Sequence, residues 1–297
     1  MKKYIGEVGL FAIAIIWGSG FIGTKLALDG GLTAIQTLTL RFFIASIILG
    51  IVFLKRIKEN ITKESLIAGS LLGLFSFMGF VAQTVGLVYT TVSKNAFITT
   101  ANVVIVPFIG FILYRRKLDK IGIISSLMAF IGIGVLSLEP NLSINLGDFL
   151  TFLCAIAFAF HIFFTGEFSR KCDSYVLTVT LFVVAFILSF ISQIIYGQGQ
   201  LQTTPIGFMG ALYLGIFSTA IAFLLQTICQ SKVDQTKAAI ILSTESVFGT
   251  IMSVIIFHEI LTPKMIIGCI IIFISIIVSE TRLSFLKKKP SEDAILD

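Results

Sequence analysis

The segment from Gln83 to Leu118 recurs, without a gap, as Gln226 to Leu261. At the constant offset 226 − 83 = 143, Gln83-Thr84 falls on Gln226-Thr227, Lys94 on Lys237, Ala96 on Ala239, Ile112 on Ile255 and Leu118 on Leu261. The register holds beyond this window. Ser76 and Phe80 fall on Thr219 and Phe223, Phe130-Ile131 on Phe273-Ile274, and Val135 on Val278; at offset 141, Trp17 falls on Phe158 and Thr24 on Thr165. Each half therefore carries the same series of apolar spans. Polar matches inside apolar sequence argue against chance alignment, and such internal symmetry points to a carrier whose binding site lies where the repeats meet.

The spans themselves exclude a soluble domain. Apolar residues make up 56% of the chain and charged residues 13%, with a mean hydropathy of +1.01, against about a quarter charged in soluble domains. Runs long enough to cross about 30 Å of hydrocarbon fall near Val8 to Leu28, Ile35 to Leu54, Leu66 to Tyr89, Ala96 to Leu113 and Ile121 to Leu138. Phe149 to Gly166, Val176 to Tyr196, Ile206 to Gln230, Ala238 to Phe257 and Met265 to Ser279 follow. The expected fold is an all-α membrane protein of ten transmembrane helices in two inverted five-helix repeats. Residues 1–140 form the first repeat, 141–286 the second, and 287–297 a disordered cytoplasmic tail. The breaks at Gly30-Gly31 and Thr90 to Val92 read as tight helical hairpins.

The pI near 9.1 and net charge of +6 do not signal nucleic acid, because the basic residues are scattered through short loops. Of the 22 Lys and Arg, Lys25 and Arg41 fall inside spans and only Lys94 and Lys264 on one side; the other 22 − 4 = 18 share the opposite side. The positive-inside rule then places both termini in the cytoplasm and the chain, as a multi-pass protein, in the cytoplasmic (inner) membrane. An odd number of spans per repeat makes the second enter from the opposite face, which is the inverted arrangement. The leading Met1-Lys2-Lys3 and apolar run resemble a signal peptide but continue to Leu28 without a cleavage site, so an uncleaved first helix is expected. Cys154, Cys172, Cys229 and Cys269 form neither a disulfide framework nor a metal spacing.

An ionisable group inside a span costs about 2.5–3.5 kcal/mol on insertion scales. Lys25, at the end of the first span, either snorkels or serves the pathway. Arg41 is deeper, and reads as a clamp on a neighbouring helix or as a pathway residue. His161 and Glu245 are expected at similar depth, where they could meet as a proton relay or cation site; the bland alternative is a Glu bonded to backbone or hydroxyls and a packed His. Polar residues also recur at helical spacing: Trp17, Phe21 and Thr24; Ser76, Phe80 and Gln83; Asn95, Thr99 and Asn102; Phe158, His161 and Thr165; and Thr219, Phe223 and Gln226. Asn102 falls on Glu245 at offset 143. A ring of amides, hydroxyls and aromatic faces suits a small amphipathic solute, although the same groups also bond packed helices together. Pro107 frees a carbonyl one turn earlier and predicts a kink, matched by Gly249 beside its copy Thr250. Gly69 and Gly73 suit close helix packing. No Gly-rich phosphate loop, His-Glu-xx-His or nucleophile elbow occurs, which argues against an enzyme. No cofactor or metal is expected.

Ile16-Trp17-Gly18-Ser19-Gly20-Phe21 with Lys25-Leu26, Leu40-Arg41-Phe42, and Lys94-Asn95-Ala96-Phe97 leading to Val104-Ile105-Val106-Pro107 resemble the first repeat of EamA-type carriers in the drug/metabolite transporter superfamily. The second repeat resembles the same domain through Lys237-Ala238-Ala239, Glu245-Ser246-Val247 and His258-Glu259. The likeness runs from Val8 to Ser279, with two departures: Ser246 stands where the family often has proline, and Phe158 where tryptophan is often seen. The resemblance implies ten helices around a central cavity, with amino-acid and metabolite exporters among the members. The resulting expectation is a secondary transporter that exports a small metabolite by alternating access, with the lipid bilayer and a small-molecule substrate as partners, proton or ion coupling left open, and no nucleic acid. Its rivals are an intramembrane enzyme and a non-transporting partner subunit.

Overall fold

The computed structural model describes residues 5–115, 120–137, 144–196, 200–233 and 235–281. It is all-helical. In a bilayer no water satisfies backbone N–H and C=O groups, so apolar spans close their hydrogen bonds within helices. In chain order these are α1 (Ile5–Asp29), α2 (Ala34–Val52), α3 (Leu54–Asn60), α4 (Lys63–Tyr89), α5 (Val92–Thr99), α6 (Asn102–Tyr114) and α7 (Lys120–Ser137). Then come α8 (Leu146–Phe168), α9 (Ser174–Ile195), α10 (Pro205–Tyr213), a π-helical segment (Leu214–Ile221), α11 (Ala222–Gln230), α12 (Gln235–Ser243), α13 (Glu245–Phe257) and α14 (Pro263–Thr281). Among the described residues, 8 spans are long and apolar enough to cross a membrane, three of them built from consecutive segments, and Ile123–Leu136 and Pro263–Val278 are shorter apolar helices. The expected repeat boundary at 140/141 and the tail 287–297 lie outside the described residues.

Helix starts carry side-chain caps for N–H groups that the helix itself leaves unpaired. Thr33 and Gln36 form a capping box on α2, Thr62 and Ser65 one on α4, and Thr91, Asn145, Asp173 and Thr204 cap α5, α8, α9 and α10. The repeat offset reappears in backbone geometry. Arg115 and His258, the two non-glycine residues with positive φ among the described residues, both end helices in the left-handed conformation at φ 52°, and 258 − 115 = 143.

The same offset relates two helix interruptions. The fourth apolar span breaks between α5 and α6 at Thr100-Ala101, and the ninth between α12 and α13 at Thr244, where 244 − 101 = 143. Tight i→i−3 bonds carry the chain across both: Val103 N–H to Thr100 O, Val104 N–H to Ala101 O, and Val247 N–H to Thr244 O. Tightened turns inside a helix often mark a hinge. The expected hinge positions lie beyond these interruptions: α6 runs on through Pro107, and at Gly249 an added Cβ would lie 3.2 Å from Phe21 and 3.4 Å from Ala96.

Small residues set the helix contacts. A Cβ at Gly69 or Gly73 would fall 2.6 Å from Thr180 or 2.7 Å from the Leu181 carbonyl, so α4 lies close on α9. Gly18 brings α1 onto α13 at the Glu245 carbonyl, 2.9 Å from an added Cβ. An aromatic core of Phe42, Phe80, Phe182 and Phe223 joins α2, α4, α9 and α11, and Phe97, Ile98, Val103 and Phe163 anchor a second core. The outward faces are apolar, with Ile51, Ile112, Ile195 and Ile255 all largely exposed. Such a surface is a liability in water and the expected boundary against lipid.

Candidate functional site

At the junction of the two halves lies a cavity of about 50 Å³. Trp17, Gly20, Phe21 and Thr24 line it from α1, Arg41 from α2, Phe80 and Gln83 from α4, Asn102 from α6, and Phe158, His161 and Ile162 from α8. Ser218 from the π segment, Phe223 and Gln226 from α11 and Glu245 from α13 complete the wall. Asn102 and Glu245 are the first residues after the two interruptions, so both interruptions border the cavity.

Four expected lining residues pack behind the wall instead. Thr219 accepts the Arg41 Nε–H at 2.9 Å. Asn95 donates through Nδ2 to the Gln83 carbonyl at 3.1 Å and to Thr151 Oγ1 at 2.8 Å, while Thr99 accepts from Gln83 Nε2 at 3.3 Å and contacts Cys154 Sγ. Ser76 is fully buried without a hydrogen-bond partner. Helical spacing places a residue on a face; the neighbouring helix decides what that face meets.

Arg41 is 2% exposed. Its guanidinium carbon sits 4.0 Å from the Phe80 ring centroid, a cation–π contact, and Thr219 is its hydrogen-bond partner. No carboxylate pairs with it among the described residues, so its remaining N–H groups stay unspent beside the cavity. Glu245, 8% exposed, makes neither a hydrogen bond nor an ion pair there. Gln226 is 0% exposed, and both its amide nitrogen and its amide oxygen lack partners. The expected meeting of His161 with Glu245 does not occur as a bond: His161 Nε2 lies 3.5 Å from Thr165 Oγ1 and the ring packs edge-on to Phe223. Unpartnered ionisable and amide groups at such depth are costly, and Arg41, Gln226 and Glu245 all line the cavity.

The π segment is a feature that sequence patterns missed. Its wider turns leave the Ser218 carbonyl to accept the Trp17 Nε1–H at 3.0 Å and place Thr219 on Arg41. Such π stretches frequently sit at functional sites, and no residue type announces them.

Polar contacts and close backbone packing gather at the end of the bundle that carries Gly30. Lys94 Nζ pairs with Asp148 Oδ2 at 3.2 Å, and Thr90 donates to the same carboxylate. Glu259 accepts from the Ser93 N–H at 3.2 Å and the Ser253 hydroxyl at 2.5 Å. Thr204 N–H reaches the Gly30 carbonyl at 2.8 Å, and a Cβ on Gly30 would fall 2.4 Å from Gly207 Cα, an approach only glycine permits. Lys25 pairs with Asp29 at 2.5 Å on the surface of this end. At the other end Arg56 bonds Asp173 at 3.0 Å and stacks on Tyr175. Among the described residues no group of three or more His, Cys, Asp and Glu is arranged to hold a metal.

A lipid-facing helical bundle with a repeated pattern and, between its halves, a cavity that holds a few charged and amide groups in an aromatic wall defines a multi-pass membrane carrier. The chain belongs to the EamA-like transporter family, whose profile matches residues 4–138 and again 145–281. It is 34% identical over 284 residues to an uncharacterized transporter of Archaeoglobus fulgidus, covering 95% of this chain and 88% of that one. It is 26% identical over 274 residues to the uncharacterized transporter YetK of Bacillus subtilis, covering 87% and 82%. A solved protein crystal structure superposes with a TM-score of 0.69 at 16% identity, covering 93% of this chain and 98% of its own, which shows a shared fold.

Proposed function

We propose that the chain is a secondary transporter of the cytoplasmic membrane that exports a small metabolite, with amino acids or related amphipathic solutes as the leading class. Ten spans form two inverted five-helix repeats with both termini cytoplasmic, and the Gly30 end faces outward. The observation that carries this reading is the cavity at the junction, where Arg41, Gln226 and Glu245 have unspent polar groups. A transported solute would satisfy them transiently and then leave.

Its size supports alternating access. About 50 Å³ holds a few waters, well below the ~300 Å³ of a typical small-molecule site, so a solute enters only if the wall moves. The paired interruptions at Thr100-Ala101 and Thr244 are the natural hinges, because each half-helix swings without breaking the other's hydrogen bonds. The outward direction of net flux rests on the resemblance to exporters. The deciding experiment is uptake and efflux in liposomes carrying the purified protein, with solutes chosen by a stabilisation screen against a metabolite library, since a ligand of the folded state raises apparent stability. Stabilising solutes that show no protein-dependent flux would refute transport and favour a binding subunit.

A further inference from the structure

We infer that Arg41 and Glu245 select the substrate by its two opposite charges, with a carboxylate at Arg41 and an ammonium group at Glu245. The assignment rests on the transport reading and deepens it by naming what the site demands of a solute.

Arg41 and Glu245 line one cavity, both more than nine-tenths buried, and neither has an ion-pair partner among the described residues. Phe80 and Thr219 hold the guanidinium plane from one face and through Nε, which leaves the Nη edge, the fork that matches a carboxylate in two parallel bonds.

Gln226 completes the set. Its fully buried amide offers donors and an acceptor, all unspent, to the same solute. The rest of the wall is aromatic: Trp17, Phe21, Phe158 and Phe223. This wall suits the side chain of a zwitterion whose two charges are already engaged. A solute with a single charge would leave either Arg41 or Glu245 bare.

The test uses the whole purified protein and thermal stabilisation by leucine, phenylalanine and threonine, each beside its methyl ester, which lacks the carboxylate, and its N-acetyl form, which lacks the ammonium. At least one parent amino acid is expected to bind, with each blocked form at least ~10-fold weaker. Arg41→Gln should erase the preference over the ester alone, Glu245→Gln the preference over the N-acetyl form alone, and Arg41→Lys should keep the wild-type ranking. The wild-type comparison stands even if a variant fails to fold. An ester or N-acetyl form that binds as tightly as its parent overturns the assignment, and so does a panel in which nothing binds. Protein-dependent flux of some other solute would then still uphold transport, so the two readings fail separately.

Discussion

In the proposed orientation, Asp148→Asn should unlatch the outer end of the carrier. The Asp148 side chain is 0% exposed, Lys94 is 17% exposed, their charged atoms lie 3.2 Å apart, and Thr90 donates to the same carboxylate. Removing one partner of a buried pair costs ~3–5 kcal/mol. Lys94 retains some access to solvent, and Asn keeps an acceptor for Thr90, so about 2 kcal/mol is the better figure for this site. If that energy holds the closed outer end, its loss raises the outward-open population ~30-fold at 1.4 kcal/mol per decade, enough to make a one-per-cent state a substantial one. The assay is the rate at which an impermeant maleimide labels Thr24→Cys, in the cavity wall, in intact cells carrying an otherwise cysteine-free protein. Asp148→Asn should accelerate labelling by about that factor at an unchanged membrane level, and Asp148→Glu should restore much of the slow rate. A folded Asp148→Asn protein that labels at the parent rate would show that the pair is structural and that closure resides elsewhere.

Gln226→Leu should lower flux while leaving thermal stability equal or higher, because it removes a buried amide with no partner, whereas Gln83→Leu should also cost stability by taking a donor from Thr99; unchanged flux in both would return these residues to packing. Single cysteines at the exposed positions Gln200 and Lys58 should react with an impermeant reagent in sealed cells at Gln200 alone, and labelling at Lys58 would overturn the orientation. Burial, with Glu64 adding to it, raises the Cys172 thiol above its ordinary range. Since the thiolate is the reacting form, Cys172 should be alkylated more slowly than a free thiol near pH 7 and catch up only as pH rises. Glu64→Gln should shift that profile to lower pH, and an ordinary thiol profile in the parent would refute the effect.

The sequence by itself determined the solvent and the plan of the molecule. Ten apolar runs leave the backbone no choice but helices in a bilayer, and the offset of 143 marks positions that recur in three dimensions: Asn102 with Glu245 after the interruptions, Arg115 with His258 at the left-handed caps. The aromatic and charged wall residues were also legible, because a charge inside a span has few places to go. Only the tertiary structure decided which polar faces meet the cavity. Ser76 and Gln83 share one stripe, yet Gln83 lines the cavity while Ser76 packs behind it, since a stripe says nothing about what lies opposite. The fourth span is interrupted at Thr100-Ala101 and runs on through Pro107, and neither Thr100 nor Ala101 carries a local signal for that break. The π segment and the Lys94–Asp148 latch were invisible for the same reason: each depends on partners far along the chain that meet only when the two halves pack.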